Sequence, residues 1–183
     1  MKLVDFPVEL SIFTSDMIFP DKEINTFKRL VLRNGGNDGA QLGGTHFRDA
    51  LVHDIFKEQS SENIYAAYRP AHVFINGNYW GIYNVRERQD KHFIKSNFNE
   101  TDIDLLERSA NAPNTRDTWA GDWEAYNAME NYLYENDMSL PEHNDYAQQN
   151  IDFNNTIDYY LTEIYTGNRD WITNNIKFWK KRK

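Results

Sequence analysis

The chain has 183 residues, of which 40% are hydrophobic, and its aromatic residues include 5 Trp, 11 Tyr and 11 Phe. This composition indicates a packed globular domain and excludes a disordered chain. The formal net charge is −8, which argues against a nucleic-acid partner. Disulfides, thiolate metal ligands and cysteine nucleophiles are excluded because there is no cysteine. No apolar run approaches the roughly 20 residues that a membrane-spanning helix needs.

Alternating and β-branched runs predict two strands near the start of the chain, at residues 8–13 and 27–33. The glycine-dense stretch 34–44 then predicts a loop. Thr45 is a suitable N-cap for a helix at 46–57. The apolar positions of that helix recur at helical spacing, which predicts one buried side. That side comprises Phe47, Ala50, Leu51, Ile55 and Phe56.

The clearest predicted element is a β-hairpin in the middle of the chain. Asn76-Gly77 lies between residues 71–75 and 79–85, and Asn-Gly between β-branched and aromatic runs favours a two-residue turn. After the hairpin, residues 88–98 predict a short helix, and 103–108 predict a short strand or an extended segment.

The next part of the chain is less regular. Residues 109–118 are small and polar and predict a surface loop. Aromatic and apolar residues at helical spacing predict a helix at 118–134. Its buried side comprises Trp119, Trp123, Tyr126, Met129 and Leu133, although a sugar-stacking surface is the alternative for the first three. The stretch 141–150 is polar and shows no clear periodicity.

The last two elements have clear boundaries. Asp152 can cap a helix at 153–166, Gly167 can end it, and 175–181 predicts a final strand. The predicted order of elements therefore gives an α+β fold, with a strand-rich first half and a helical second half.

The loop after that helix, GNRDWITNN at 167–175, suggests a function. Asp170 follows an arginine and precedes Asn175 by five positions. Protein kinases use this interval in their catalytic loop, where the Asp orients or deprotonates the substrate hydroxyl and the Asn holds a metal ion. Both residue types are also common in turns, so the interval alone leaves a purely structural role open.

The order of elements agrees with a kinase. A kinase needs a basic side chain on a strand, an acid on the next helix, a hairpin, and a long helix that leads into the catalytic loop. Here Arg33 ends a strand, Asp49 lies in the following helix, and the helix 153–166 runs into Asp170. Two features disagree: no Gly-rich loop precedes the basic strand, and its base is arginine rather than lysine. A surface ion pair of Arg33 with Asp38 or Asp49 is the alternative.

Four segments together resemble the spore-coat protein H family, the CotH kinases. They are LVLRNGGND, FRDAL, VFINGNYWGIYNVRER and NRDWITNNIKFW, and they extend from about residue 27 to the end. The resemblance implies an atypical protein-kinase-like fold. It also implies transfer of the ATP γ-phosphate to Ser or Thr of spore-coat, secreted or surface proteins, with Mg²⁺ or Mn²⁺ as the metal.

The same resemblance implies roles for five residues. Asp170 is similar to the family's catalytic Asp, and Asn175 to a metal ligand. Arg33 and Asp49 are similar to its phosphate-side Arg and its helical acid. Glu87 matches the family's Glu after the hairpin, near the nucleotide, although a charge cluster at the strand end is the alternative for this position.

The family pattern also sets an expectation about the extent of the chain. Family members continue past the final strand to a second metal-binding Asp, whereas this sequence stops at Lys183. We therefore expect residues 1–183 to be an excised CotH kinase-like domain, C-terminally incomplete and with weak or no transfer activity.

A second hypothesis is a non-catalytic spore-coat assembly or surface-binding module with a protein or glycan ligand. The missing Gly-rich loop and the aromatic-rich helices favour it. Under either hypothesis we expect a protein partner, no nucleic acid and no membrane span, at a spore coat or an extracellular or cell surface.

Overall fold

The computed structural model describes residues 13–14, 18–39, 43–60, 62–109, 115–171 and 174–182. Their helices and strands form a mixed α+β arrangement, as predicted. The chain divides into two compact units. The first comprises Met1–Ala50 and Ala66–Asn99, and the second comprises Leu51–Tyr65 and Glu100–Lys183.

The first unit begins with short strands. β1 (Phe13–Thr14) pairs antiparallel with β2 (Thr26–Phe27), and β3 (Leu30–Arg33) joins a different sheet. The strand predicted at 27–33 is therefore divided, because its two halves pair with different partners. Of the strand predicted at 8–13, only Phe13 belongs to the described residues.

The predicted hairpin forms the main sheet of this unit. β4 (Tyr68–Ile75) and β5 (Asn78–Glu87) are antiparallel, and the strand order is β3-β5-β4. Asn76 and Gly77 have φ of 51° and 80°, as a type I′ turn requires. This turn matches the right-handed twist of the two strands, so the sequence alone was sufficient to predict the hairpin.

Helix α1 (Arg48–Gln59) begins later than predicted, and its cap is Asp38 rather than Thr45. Asp38 lies at the end of a short 3₁₀ turn (Gly36–Asp38), and its carboxylate accepts from the backbone N–H of Arg48 at 2.8 Å and of Thr45 at 2.7 Å. The predicted buried side is correct for Ala50 and Phe56, whereas Phe47 and Leu51 are exposed. Residues 40–42 of the glycine-dense loop lie outside the described residues.

Replacing this distant cap should cost more stability than replacing the predicted one. We expect Asp38→Ala to lower the free energy of unfolding by about 1–2 kcal/mol, because it leaves the first amide of α1 without its carboxylate partner. Thr45→Ala removes a hydroxyl that donates to Asp38 and should cost about 0.5 kcal/mol. Urea denaturation of both variants measures the difference, and equal costs would contradict the assignment of Asp38 as the cap.

Helix α2 (Lys91–Phe98) completes the first unit. Asp90 is its N-cap and accepts from the backbone N–H of His92 at 2.8 Å and of Phe93 at 3.3 Å. The apolar core of this unit is small and contains Phe19, Phe27, Ala50, Ala66, Ala67, Phe93 and Ile94.

The second unit contains a three-stranded antiparallel sheet. β6 (Ile103–Ser109) is the central strand, flanked by β7 (Thr115–Ala120) and β8 (Ile176–Lys181). The loop prediction for 109–118 was wrong at Ser109, which ends β6, and at 115–118; residues 110–114 lie outside the described residues. The polar sequence of β7 has no apolar alternation that would predict a strand. It forms a strand because its backbone pairs with that of β6.

Three helices accompany this sheet: α3 (Glu124–Glu135), α4 (Pro141–Asn150) and α5 (Phe153–Tyr165). α5 agrees with its prediction, and Asp152 caps it by accepting from the backbone N–H of Asn155 at 3.0 Å. α4 was not predicted, because Ala147 is its one buried position. Although the second half is rich in helices, it also contains this sheet.

The aromatic residues predicted for one helix occupy two different elements. Trp123 precedes α3, and its ring and that of Tyr126 pack on Phe178 of β8, with centroids 5.8 and 5.0 Å away. Trp119 lies in β7, where the ammonium of Lys177 is 3.7 Å from its ring centroid. The assignment of Trp119 to the buried side of a helix was therefore wrong.

Candidate functional site

The loop that follows α5 presents Asp170 at the surface. The helix ends at Tyr165, and Gly167 has φ of 66°, so this residue stops the helix as predicted. The side chain of Asp170 is exposed, and its backbone N–H donates to Oδ1 of Asn168 at 3.0 Å.

Two carboxamides hold the carboxylate of Asp170. Nδ2 of Asn175 donates to its Oδ2 at 2.8 Å, and Nδ2 of Asn174 donates to its Oδ1. The pair predicted from the five-residue interval, Asp170 and Asn175, therefore lies together. The intervening residues 172–173 lie outside the described part of the chain.

The cluster contains residue types that can bind a hard cation, although its bonds turn amide N–H groups toward the carboxylate. Carboxylate and amide oxygens are the ligands that Mg²⁺ accepts in proteins, and Asp170, Asn174 and Asn175 supply both types. Because the amide N–H groups of both asparagines face the Asp170 carboxylate, they orient it without a competing positive charge. Asn175 has φ of 57°, the left-handed region that Asn tolerates better than most residues.

Arg33 and Asp49 form a second cluster, in the first unit. NH1 of Arg33 lies 2.8 Å from Oδ2 of Asp49, and both side chains are about half exposed. Arg86, on the neighbouring strand β5, pairs with the same carboxylate oxygen. Two guanidinium groups therefore face one carboxylate, which leaves a surplus positive charge suited to phosphate oxygens.

Arg86 differs from Arg33 because its side chain is buried, with 4% of its area exposed. Burial, together with the nearby charge of Arg33, lowers the pKa of Arg86 to about 10, so its guanidinium remains charged at neutral pH. Within the described residues, its Nε lacks a hydrogen-bond partner.

Glu87 lies at the end of β5 in a closed buried network. Its Oε2 is 2.5 Å from Nζ of Lys22 and accepts from the backbone N–H of Ala67 at 3.0 Å. Nδ2 of Asn97 donates to its Oε1 at 3.3 Å. The Lys22 and Glu87 side chains are only 6% and 3% exposed. These contacts pair both oxygens of the Glu87 carboxylate within this unit.

The comparisons with known proteins identify the family. The family model described as CotH kinase protein matches residues 10–183. The chain belongs to the CotH kinase family. Comparison with curated proteins gave no match, and neither did comparison with solved structures. Membership indicates a kinase-like or spore-coat function.

Sequence reasoning missed several polar residues of this CotH chain that contact the predicted ones, among them Asn174, Arg86 and Lys22. Asn174 immediately precedes a predicted residue and could have been found from its position in the loop. Arg86 is two positions from Asn84, which pairs with Arg33 across the sheet, so a correct strand register would have placed it near Arg33. Lys22 carried no signal, because it lies 65 positions before Glu87 in the sequence.

Metal-binding clusters and membrane-spanning helices were both sought among the described residues. Among the described residues, no group of three or more His, Asp and Glu side chains is placed to hold a metal ion. Within that same part of the CotH chain, no helix combines the length and the apolar character that crossing a membrane requires.

Proposed function

We propose that this CotH-family chain is an atypical protein-kinase-like domain. It would transfer the γ-phosphate of ATP to Ser or Thr hydroxyls of spore-coat, secreted or surface proteins. The observation that carries the proposal is the exposed carboxylate of Asp170, oriented by Asn174 and Asn175 directly after a long helix. This arrangement fits a residue that receives a substrate hydroxyl.

In the proposed reaction Asp170 aligns the hydroxyl of the protein substrate. The hydroxyl oxygen forms a bond to the γ-phosphorus, and the bond from that phosphorus to the β,γ-bridging oxygen breaks, so that ADP leaves. The proton of the hydroxyl passes to the Asp170 carboxylate. Positioning supplies most of the rate enhancement in such a transfer.

The residues present also fit the cofactors, ATP with Mg²⁺ or Mn²⁺. Asn175 would hold the metal through its amide oxygen, the end of the carboxamide that does not donate to Asp170. When bound, the metal neutralises charge on the phosphate oxygens. Arg33 would bind phosphate oxygens, with its guanidinium held by Asp49, whose carboxylate also pairs with Arg86. Glu87 would support the end of β5 through Lys22.

The second candidate is a binding module of the spore coat or cell surface. One observation favours it: the hairpin of β4 and β5 exposes Phe74, Tyr79 and Trp80, each by more than half of its area. Exposed aromatic side chains in one place are typical of protein- or glycan-binding surfaces.

Binding of ATP tests the proposal and separates the two candidates. We expect ATP with Mg²⁺ to raise the melting temperature of the chain, and Arg33→Ala to weaken ATP binding about tenfold, because one charged hydrogen bond to phosphate is lost. Isothermal titration calorimetry measures the affinity. The matched control is Arg69→Ala, which removes another exposed arginine of the same sheet and should leave the affinity unchanged.

Two results would count against the kinase. One is a melting temperature that ATP leaves unchanged but an oligosaccharide or a coat-protein peptide raises; this would support the binding module. The other is equal ATP affinity in the Arg33→Ala variant and the original chain, which would remove Arg33 from the nucleotide site.

A further inference from the structure

Glu163 occupies an unfavourable position for an acid. It lies in the last turn of α5, where it is 8% exposed, and no basic residue is present in that turn. A carboxylate there faces the negative end of the helix dipole and also loses its hydration. Local violations of this kind are expected at functional or strained positions.

The carboxylate of Glu163 is connected to Asp170 through one side chain. Nδ2 of Asn168 donates to Oε2 of Glu163 at 2.6 Å, and Oδ1 of the same carboxamide accepts from the backbone N–H of Asp170 at 3.0 Å. Both ends of the Asn168 side chain are therefore used.

Helix termination explains only part of this arrangement. The backbone N–H of Asn168 donates to the carbonyl of Glu163, and that of Gly167 to the carbonyl of Ile164; this is a Schellman motif that ends many helices. A bond from an Asn side chain to the amide two residues later is also common. Neither pattern requires the other end of the carboxamide to reach a buried acid.

A second attachment holds the other side of Asp170. The ring of Trp171 packs edge-on against Tyr160 and Tyr159 of α5, with centroids 4.8 and 5.8 Å away. Tyr159 also hydrogen-bonds to Glu163 through its hydroxyl. Burial, and to a lesser extent the negative charge of Glu163, raises the pKa of that hydroxyl. Asn168, before Asp170, and Trp171, after it, are thus both attached to α5.

We propose that Glu163, acting through Asn168, is a positioning residue that holds the backbone of Asp170 for phosphate transfer. The inference rests on the proposed kinase function. It assigns no contact with substrate to either residue. Their effect is to fix the place from which the carboxylate of Asp170 reaches the hydroxyl.

The test uses the full chain and two readouts. In Asn168→Ala and Glu163→Ala we expect hydrogen exchange of the Asp170 amide to speed up about fivefold, because its acceptor is lost or released. We expect kcat for transfer from ATP to a Ser/Thr peptide to fall about tenfold with KM for ATP unchanged, since only the position of Asp170 is altered. Glu163→Gln keeps an acceptor for Asn168 and should restore most of kcat.

A matched control is Asn136→Ala, which removes a carboxamide that bonds the carbonyl of Tyr132 at the end of α3. It should change neither readout. Unchanged exchange at Asp170 in both test variants refutes the positioning role and leaves the kinase proposal standing. Faster exchange with unaltered kcat also refutes it. If the original chain neither binds ATP nor transfers phosphate to any hydroxyl, the proposed function fails, and the positioning role fails with it.

Discussion

Asp170→Asn should lower the rate of phosphate transfer about a thousandfold and leave the chain folded. The substitution keeps the size of the side chain but removes the acceptor for the hydroxyl proton, and a general base contributes about 10²–10⁴ in rate. Stability should change by less than about 0.5 kcal/mol, because Asp170 is exposed and its partners are surface carboxamides.

The measurement is transfer of the γ-phosphate to a Ser/Thr peptide, followed by mass spectrometry, with urea denaturation of the same samples. Asp145→Asn is the matched control, since it removes an exposed carboxylate from α4 of the same unit; its rate should equal that of the original chain. If Asp170→Asn retains more than about half of the rate, Asp170 is not the residue that receives the hydroxyl.

Glu87→Gln should be the most destabilising of the polar substitutions considered for this chain. It leaves the ammonium of Lys22 buried opposite a neutral amide, and breaking a buried ion pair from one side costs about 3–5 kcal/mol. We expect the free energy of unfolding to fall by about 3 kcal/mol, the lower end of this range. The reason is that Asn97 still accepts from Lys22 at 2.7 Å and a Gln oxygen can still accept from the backbone N–H of Ala67.

Urea denaturation with Lys22→Met and the double variant tests this second prediction. Each single change should lower the free energy of unfolding. The double change should lower it by less than the sum of the two, because it leaves no unpaired charge. Glu23→Gln, an exposed neighbour, should be neutral within about 0.5 kcal/mol. If Glu87→Gln instead weakens ATP binding without loss of stability, Glu87 acts at the nucleotide, as the family resemblance implied.

These two residues show how far sequence reasoning could go for the candidate site. Asp170 and Asn175 are five positions apart, and a short loop after a well-capped helix constrains where both can lie, so their proximity was predictable. The surroundings of Glu87 were not, because its cation comes from Lys22, 65 positions earlier. The alternative of a charge cluster at the strand end would have paired Glu87 with its sequence neighbours Arg86 and Arg88. Arg86, one of them, instead pairs with Asp49.

The wrong predictions about the fold also arose because contacts between distant residues decided the structure. Thr45 has the right residue type and position for a cap, yet Asp38 takes that role because its carboxylate accepts from the first backbone N–H of α1. β7 read as a loop, since its polar residues show no alternation and its conformation depends on pairing with β6. Trp119 matched a helical spacing by coincidence and lies in that strand.

The sequence by itself determined the elements that depend on neighbours along the chain. The Asn76-Gly77 hairpin, the capped helix α5 and the family segments follow from turn chemistry, capping and pattern, all of which act over a few residues. Tertiary structure alone decided which charges meet: Lys22 with Glu87, and Arg33 and Arg86 on Asp49. An ion pair between distant residues depends on strand register and on burial, and neither is encoded in the residues beside it.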